Sequence, residues 1–308
     1  MKFLITGGAG YIGSVLAKNL LDEGFHVTIV DNFTYEQNSL AYICYEKNLK
    51  IIKSDFRDFA KYKKEIETSD FIIPLAGLVG APMCNNNPDQ AESINLSAQL
   101  ELFKKITENQ YILMPTTNSA YGTSNGEICT EETKLKPIST YAKHKVEVEE
   151  NLMQRKNWIS FRLATVFGMS SRMRIDLLVN DFVFRALYEK FIVLFEHKFN
   201  RNYIHVKDVS KVFIHAVKNL NIMNNNIYNV GLSDANLTKL ELCEKIKNFL
   251  NFNIILNEVQ KDPDQRNYIV SNKKIENAGF KPTFSIEDGI EELIKGFTSY
   301  KFRKYSNI

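Results

Sequence analysis

The sequence predicts an α/β protein built on a doubly wound parallel sheet, with a smaller C-terminal lobe. Two observations support this prediction. In the first half of the chain, short apolar runs alternate with segments of helical periodicity, which is typical of βαβ units. The first apolar run is followed at once by a glycine-rich turn, TGGAGYIG at residues 6–13, and then by a helical pattern. After about Val166 the alternation becomes irregular. We therefore expect residues 1–165 to form the first domain, to which the chain returns near residues 203–235. Residues 166–308 are expected mainly to form the lobe.

Each element is predicted from a local pattern and its boundary residues. Gly24 ends the first helical pattern, and Pro115 is expected to stop the fifth strand. The asparagine-rich stretch 221–226 is predicted to be a loop. The predicted strands are Lys2–Thr6, His26–Val30, Leu49–Lys53, Phe71–Leu75, Tyr111–Met114, Trp158–Leu163 and Phe191–Phe195. The predicted helices are Ile12–Glu23, Glu92–Glu108, Ser139–Met153 and Asp176–Tyr188.

Composition excludes several classes of protein. The 308 residues are 44% hydrophobic and 24% charged, with a net charge of +3, so nothing indicates binding to nucleic acid. No apolar stretch approaches the roughly 18 residues that span a bilayer, and the N-terminus lacks the pattern of a signal peptide. The four cysteines show no C-x-x-C spacing, so we expect neither a metal site nor a disulfide framework. We expect a cytoplasmic protein without membrane contact.

The glycine turn indicates a binding site for a dinucleotide. Gly7, Gly10 and Gly13 are spaced so that the backbone can approach a pyrophosphate, which then faces the free N–H groups of a helix N-terminus. Asp31 ends the second strand, where a carboxylate hydrogen-bonds ribose hydroxyls and repels a 2′-phosphate. The cofactor is therefore expected to be NAD rather than NADP, held by a Rossmann domain. Asp55 and Phe56 follow the third strand, where the adenine would lie.

A second constellation suggests proton transfer. Tyr141 and Lys145, in YAKHK, are four residues apart and so share one face of a helix. An ammonium group beside a phenol favours the phenolate and lowers the pKa of the tyrosine. Such a tyrosine can take a proton from a hydroxyl while hydride leaves the same carbon. Thr116 and Thr117, which come after the fifth predicted strand, supply hydroxyls that can share the developing charge.

These motifs together resemble the extended short-chain dehydrogenase/reductase family, in its nucleotide-sugar epimerase/dehydratase branch. TGGAGYIG, Asp31, Asp55, LAG at residues 75–77, TTNSAYG at 116–122, YAKHK and RNYIHVKD at 201–208 occur in the family's order. The resemblance covers nearly the whole chain. It implies a nucleotide-diphosphate sugar as substrate and a homodimer formed by the second and third predicted helices across a two-fold axis.

The resemblance also implies a role for individual residues. The catalytic residues would be Thr117, Tyr141 and Lys145. The residues expected to bind the cofactor are Gly7, Gly10, Tyr11, Ile12, Gly13, Asp31, Asn32, Asp55, Phe56, Leu75, Ala76, Gly77, Asn95, Tyr141 and Lys145. The residues expected to bind the substrate are Thr117, Asn118, Asn180, Arg174, Arg201 and Arg266. Arg172 and Arg174 could contact phosphate or sugar, or could equally be surface charges.

The branch shares oxidation at C4 of a hexose as its common first step, and two substitutions restrict the steps that can come after it. Asn118 and Ser119 stand where dehydratases carry an acidic pair, and Ser119 also stands where 3,5-epimerases carry a cysteine. A 4-dehydrogenase and a 4-epimerase therefore remain, because both need only Thr117, Tyr141, Lys145 and NAD. The stretch LAGLVGAPMCNNNP at 75–88, with PTTNSAYG, looks most like bacterial enzymes of capsule synthesis that act on GDP-linked heptose. We therefore expect oxidation of GDP-D-glycero-D-manno-heptose to its 4-keto form. A non-catalytic NAD-binding sensor is a third reading, disfavoured by the intact catalytic residues.

Overall fold

The computed structural model describes residues 1–257 and 266–299, so residues 258–265 and 300–308 of the predicted lobe lie outside the described part. The strands are β1 Lys2–Thr6, β2 His26–Asp31, β3 Leu49–Lys53, β4 Phe71–Pro74, β5 Tyr111–Thr117, β6 Thr123–Cys129, β7 Trp158–Leu163, β8 Thr165–Phe167, β9 Phe191–Leu194, β10 Asn200–His205, β11 Asn226–Val230, β12 Asn236–Thr238, β13 Asn253–Leu256 and β14 Asn267–Val270. The helices are α1 Tyr11–Asp22, α2 Lys63–Thr68, α3 Ala81–Asn86, α4 Pro88–Glu92, α5 Ala98–Lys105, α6 Thr140–Leu152, α7 Leu178–Tyr188, α8 Val206–Lys218, α9 Leu220–Met223, α10 Lys239–Lys247, α11 Lys273–Asn277 and α12 Ile286–Ser299.

The main sheet has seven strands in the order β3-β2-β1-β4-β5-β7-β11. Every neighbouring pair is parallel. This is the doubly wound order, in which the chain reverses direction across the sheet between β1 and β4. The predicted fold class is therefore confirmed, and ligands of such sheets bind outside the carboxyl ends of the strands at the reversal.

Both faces of the main sheet are covered by helices, as a parallel sheet requires. Successive residues of β1 point to opposite faces: Phe3 and Ile5 pack in the core shared with α1 and α8, whereas Leu4 packs in the core shared with α5 and α6. A third core lies among α7, α10 and α12. In addition to the main sheet, the described residues form three small sheets with the strand orders β12-β10-β8, β13-β9 and β14-β6.

Three of the predicted segments differ from what the structure shows, and β11 has no counterpart among the predicted strands. β5 continues through Pro115 to Thr117, because its pairing with β4 covers only Tyr111 and Ile112 and leaves no ladder on that edge for proline to interrupt. The predicted helix 92–108 is divided by a π-helical turn, Ser93–Ser97, before α5. The stretch 221–226 begins inside α9 rather than in a loop. Within the described residues, no helix is long and apolar enough to cross a membrane.

Candidate functional site

A cleft of about 590 Å³ lies at the carboxyl ends of the main-sheet strands and is bordered by the C-terminal elements. Many of the predicted site residues line it: Gly7, Gly10, Tyr11, Ile12, Gly13, Asp31, Asn32, Asp55, Leu75, Ala76, Gly77, Thr117, Tyr141, Arg174 and Arg266. The other predicted site residues are buried outside this lining: Phe56, Asn95, Asn118, Lys145, Asn180 and Arg201. The cleft therefore brings the two constellations of the sequence together.

The glycine turn forms a cradle that side chains would fill. Gly7 has φ +71°, and a Cβ atom there would lie 2.6 Å from the Ala76 nitrogen. A Cβ atom on Gly13 would lie 2.6 Å from the Gly8 Cα atom. Helix α1 begins directly after Gly10, which offers no side-chain cap. The N–H groups in the first turn of α1 can thus donate hydrogen bonds to an anion. The glycine turn and this helix end therefore fit the pyrophosphate of the predicted dinucleotide.

Asp31, the last residue of β2, lines the cleft and accepts hydrogen bonds from the backbone on two sides of it. Its Oδ2 atom accepts a hydrogen bond from the Ala9 N–H at 3.0 Å, and its Oδ1 atom accepts from the Phe33 N–H at 2.8 Å. Burial raises the pKa of Asp31 above its usual value, although these hydrogen bonds oppose the change. A carboxylate has about four acceptor positions, so Asp31 retains capacity for ribose hydroxyls.

Asp55 is paired with Arg57, which the sequence analysis missed. The Arg57 Nη2 atom lies 2.7 Å from Asp55 Oδ2, and the Nε atom lies 2.9 Å from Oδ1. This pairing lowers the pKa of Asp55. Both residues line the cleft. An arginine two positions after a candidate aspartate is a sequence pattern from which this ion pair could have been predicted.

The catalytic candidates are fixed relative to the end of β5. Tyr141 lies in the first turn of α6, whose N-cap Ser139 accepts a hydrogen bond from the Ala142 N–H at 3.2 Å. One turn further, Lys145 donates to the Pro115 carbonyl at 3.1 Å. The Thr117 hydroxyl donates to the Ser119 hydroxyl at 2.9 Å. The end of β5 thus carries Thr117 and contacts Lys145, and Tyr141 lies one turn before Lys145 on α6.

The pKa of Tyr141 differs from the expectation. Burial, with a smaller contribution from Cys84, raises it to about 12 although the positive charges of Arg174 and Arg266 oppose the rise. Burial also lowers the pKa of Lys145 to about 8. The expected lowering of the tyrosine pKa is therefore not observed, because desolvation outweighs the favourable charges.

Two arginines lie in the cleft on the Tyr141 side. The Arg174 Nε atom donates to Asp176 Oδ1 at 3.1 Å, and Arg266 lines the same cleft. Arg201 lies outside the lining, with its guanidinium carbon 5.7 Å from the ring centroid of Tyr268, a lining residue that the sequence analysis missed. Arg201 can therefore act on the cleft through Tyr268.

The remaining buried candidates contact backbone or core. Asn95 clamps Leu78, accepting from its N–H at 2.7 Å and donating to its carbonyl at 2.8 Å. Asn180 accepts from the Gly168 N–H at 3.0 Å and donates to the Arg174 carbonyl at 2.8 Å, so it shapes the segment that carries Arg174. Asn118 is fully buried, and within the described residues neither of its side-chain polar atoms has a hydrogen-bond partner. Phe56 packs in the core.

Further lining residues had no sequence signal that we used. They are Thr34, Tyr35, Gln37, Ser139 and Leu177, together with residues at the ends of β7 and β8. Arg172, which the sequence analysis named as a possible phosphate or sugar contact, also lines the cleft. Within the described residues, no group of histidine, cysteine and carboxylate side chains could hold a metal ion.

Comparisons with known proteins agree with the observed fold. A profile of the NAD dependent epimerase/dehydratase family matches residues 3–231. The CDP-paratose 2-epimerase of Salmonella typhi is 25% identical over 331 residues, which cover 95% of this chain and 98% of that protein. The chain is also similar to the structure of UDP-N-acetylglucosamine 4-epimerase from Methanobrevibacter ruminantium M1 in complex with UDP-N-acetylmuramic acid, with a TM-score of 0.84 at 24% identity. The alignment covers 97% of this chain and 98% of that chain. The Thermus thermophilus UDP-glucose 4-epimerase, in complex with NAD, has a TM-score of 0.83 at 22% identity, with coverage of 97% and 99%.

Proposed function

Because the chain belongs to the NAD dependent epimerase/dehydratase family, we propose that it oxidises C4 of a nucleotide-linked sugar. Family membership confirms the predicted cofactor, NAD. The observation that carries the proposal is that Tyr141 and Thr117 line the same cleft as the glycine turn. A proton acceptor, a hydroxyl and a dinucleotide cradle then face one bound substrate.

The residues divide the chemistry between them. When bound, NAD supplies the acceptor for the hydride from C4. Tyr141 receives the proton of the 4-hydroxyl, so that the carbon–oxygen single bond becomes a ketone. The Thr117 hydroxyl hydrogen-bonds the same oxygen. Arg174 and Arg266 favour the tyrosinate that this transfer requires, because their positive charges oppose the rise in the pKa of Tyr141. Lys145, held by the Pro115 carbonyl one turn further along α6, is proposed to add a third positive charge.

We propose GDP-D-glycero-D-manno-heptose as the sugar nucleotide and its 4-keto form as the product, for capsule or other surface polysaccharide. The support is the likeness of residues 75–88 and 115–122 to enzymes of that kind. Asn118 and Ser119 stand in place of acidic groups, and the buried Asn118 amide is outside the cleft lining. Neither side chain can act as the acid and base that water loss requires, so dehydration does not follow the oxidation.

A 4-epimerase is the second candidate, supported by a different observation. Two of the similar structures are those of UDP-sugar 4-epimerases, and their chains cover nearly the whole of this one. An epimerase would return hydride to the opposite face of the ketone. The same Thr117, Tyr141 and Lys145 would serve, so the two candidates differ only in the fate of the hydride.

One experiment separates these candidates. The protein is incubated with GDP-heptose, and in parallel with UDP-glucose, while NADH absorbance is followed and products are identified by NMR. A 4-ketone, or its hydrate, with one NADH per site supports the 4-dehydrogenase. A 4-epimer formed without added oxidant and without net NADH identifies an epimerase instead. Absence of any reaction at C4 with either sugar would refute the proposed activity.

We predict that Arg266→Ala weakens nucleotide-sugar binding more than Arg201→Ala. Arg266 lines the cleft, whereas Arg201 is buried behind Tyr268. Removing a charged partner from a desolvated site costs about 2–5 kcal/mol, which corresponds to a loss of affinity of roughly 30-fold or more. Titration calorimetry with NAD-loaded protein measures the effect, and Arg185→Ala on the surface of α7 serves as the control. Equal affinities for Arg266→Ala and wild type would remove Arg266 from the substrate site.

A further inference from the structure

One contact crosses the cleft at its Asp31 end. Tyr35 belongs to the loop after β2, whereas Arg172 belongs to the segment 168–174 between β8 and α7. The Arg172 guanidinium carbon lies 4.5 Å from the centroid of the Tyr35 ring. Both residues line the cleft, so their cation–π contact joins the main-sheet side of the cleft to its C-terminal side.

The segment that carries Arg172 is anchored to the glycine turn. The Tyr11 hydroxyl donates to the Gly168 carbonyl at 2.6 Å, and the Ser170 hydroxyl donates to the Tyr11 carbonyl at 2.7 Å. Asn180 holds the other side of the segment through the Gly168 N–H and the Arg174 carbonyl. The backbone is thus fixed on both sides, and Arg172 is presented by a preorganised segment.

The loop that carries Tyr35 is also held in a defined shape. Phe33 and Glu36 have φ values of 56° and 49°, which residues with side chains seldom adopt. The Phe33 N–H donates to Asp31, and the Thr34 N–H donates to Asn32 Oδ1 at 3.1 Å. The carboxylate predicted to bind ribose therefore also shapes the loop that presents Tyr35.

The charges at this end favour an anion in the cleft. Arg172 is only 3% exposed, and burial, followed by the like charge of Arg174, lowers its pKa. Phosphate oxygens near the two guanidinium groups would lessen their mutual repulsion, which the pairing of Arg174 with Asp176 already reduces at one of them. Arg172 and Asp31 attract one another, which places Arg172 at the ribose end rather than beside Tyr141.

We propose that Arg172 and Tyr35 form a strap that retains the adenosine-diphosphate part of the dinucleotide. Arg172 then serves the cofactor, whereas Arg174 and Arg266 serve the sugar nucleotide. This inference rests on the use of NAD but not on the proposed sugar. A strapped cofactor stays bound through successive turnovers, so the NADH formed by one substrate is reoxidised in place by a second keto compound or by the ketone itself.

The test is the release of NADH in the absence of any sugar nucleotide. NADH-loaded protein is mixed with excess NAD, and the loss of protein-bound NADH fluorescence is followed by stopped flow. Arg172→Ala is expected to release NADH roughly tenfold faster or more, because the guanidinium group proposed to hold the phosphate is lost. Tyr35→Ala is expected to release NADH about a few-fold faster, because the cation–π contact is lost. Tyr35→Phe keeps the ring and should release NADH at the wild-type rate, and Arg185→Ala serves as the surface control.

Several results would overturn the strap. Unchanged release from Arg172→Ala and Tyr35→Ala would do so, as would an Arg172→Ala variant whose only defect is weaker binding of the sugar nucleotide. If Arg172→Ala does not fold, the comparison of Tyr35→Ala with Tyr35→Phe decides, because Tyr35 is 40% exposed. The assay contains no sugar, so failure of the proposed C4 oxidation in the wild type would leave this result standing. A wild-type protein that binds no NADH would refute the strap and the proposed function together.

Discussion

Tyr141→Phe should lower the rate of C4 oxidation by roughly two to four orders of magnitude, the usual contribution of a positioned proton acceptor. The ring that lines the cleft is retained, so binding of NAD and of the sugar nucleotide should change little. The measurement is the single-turnover rate of NADH formation with the NAD-loaded protein. Loss of rate with retained binding also distinguishes an enzyme from a sensor, because a sensor would need only binding.

The control for this variant is Tyr45→Phe, which removes the same hydroxyl from a side chain that is 72% exposed. It should react at the wild-type rate. Turnover of Tyr141→Phe within a few-fold of the wild type would show that another group accepts the proton. A matching loss in Tyr45→Phe would point instead to a general defect of the preparation.

Gly7→Ala should deprive the protein of bound NAD and destabilise it. The substitution imposes the cost of a positive φ, about 1–2 kcal/mol, and also places a methyl group 2.6 Å from the Ala76 nitrogen. Such overpacking against backbone costs a further 1–3 kcal/mol or so. The expected result is a lower free energy of unfolding in urea and a NAD content reduced by about tenfold or more.

Gly24→Ala separates these two causes. Gly24 has φ +78°, close to that of Gly7, yet no atom lies within 4 Å of a Cβ placed there. The control should therefore lose stability through backbone strain while keeping its NAD. If both variants lost NAD equally, strain rather than the close approach to Ala76 would explain the result, and the cradle would not depend on Gly7.

The cofactor half of the site could be predicted because its signals are local. Gly7, Gly10 and Gly13 lie in one turn, and Asp31 marks the end of the next strand. The strand ends are marked by short apolar runs, so six of the seven main-sheet strands are predicted to within a few residues, whereas β11 is not predicted. Pro115 was the exception, because whether a proline ends a strand depends on the neighbouring strand, which the local sequence does not reveal.

The remainder of the site depends on packing between distant segments. Nothing local to Tyr35 or Arg172 indicates that they meet, because their contact is made by two loops from different parts of the chain. The role of Asn180 was likewise hidden, since its partners Gly168 and Arg174 come together only when the segment folds. The raised pKa of Tyr141 has the same origin: burial depends on the whole fold, whereas the lysine four residues away is visible in the sequence.

The position of β11 has a consequence for biosynthesis. All six residues of β7 are buried, and one of its edges pairs with β11, which comes much later in the chain. During translation β7 therefore leaves the ribosome long before its partner, with the apolar side chains of Ile159, Phe161 and Leu163 on one face and with an unpaired edge. Such an edge is a template for aggregation, so the nascent chain would need chaperone protection until Val230 has emerged. A fragment ending near residue 165 should consequently be insoluble when expressed alone.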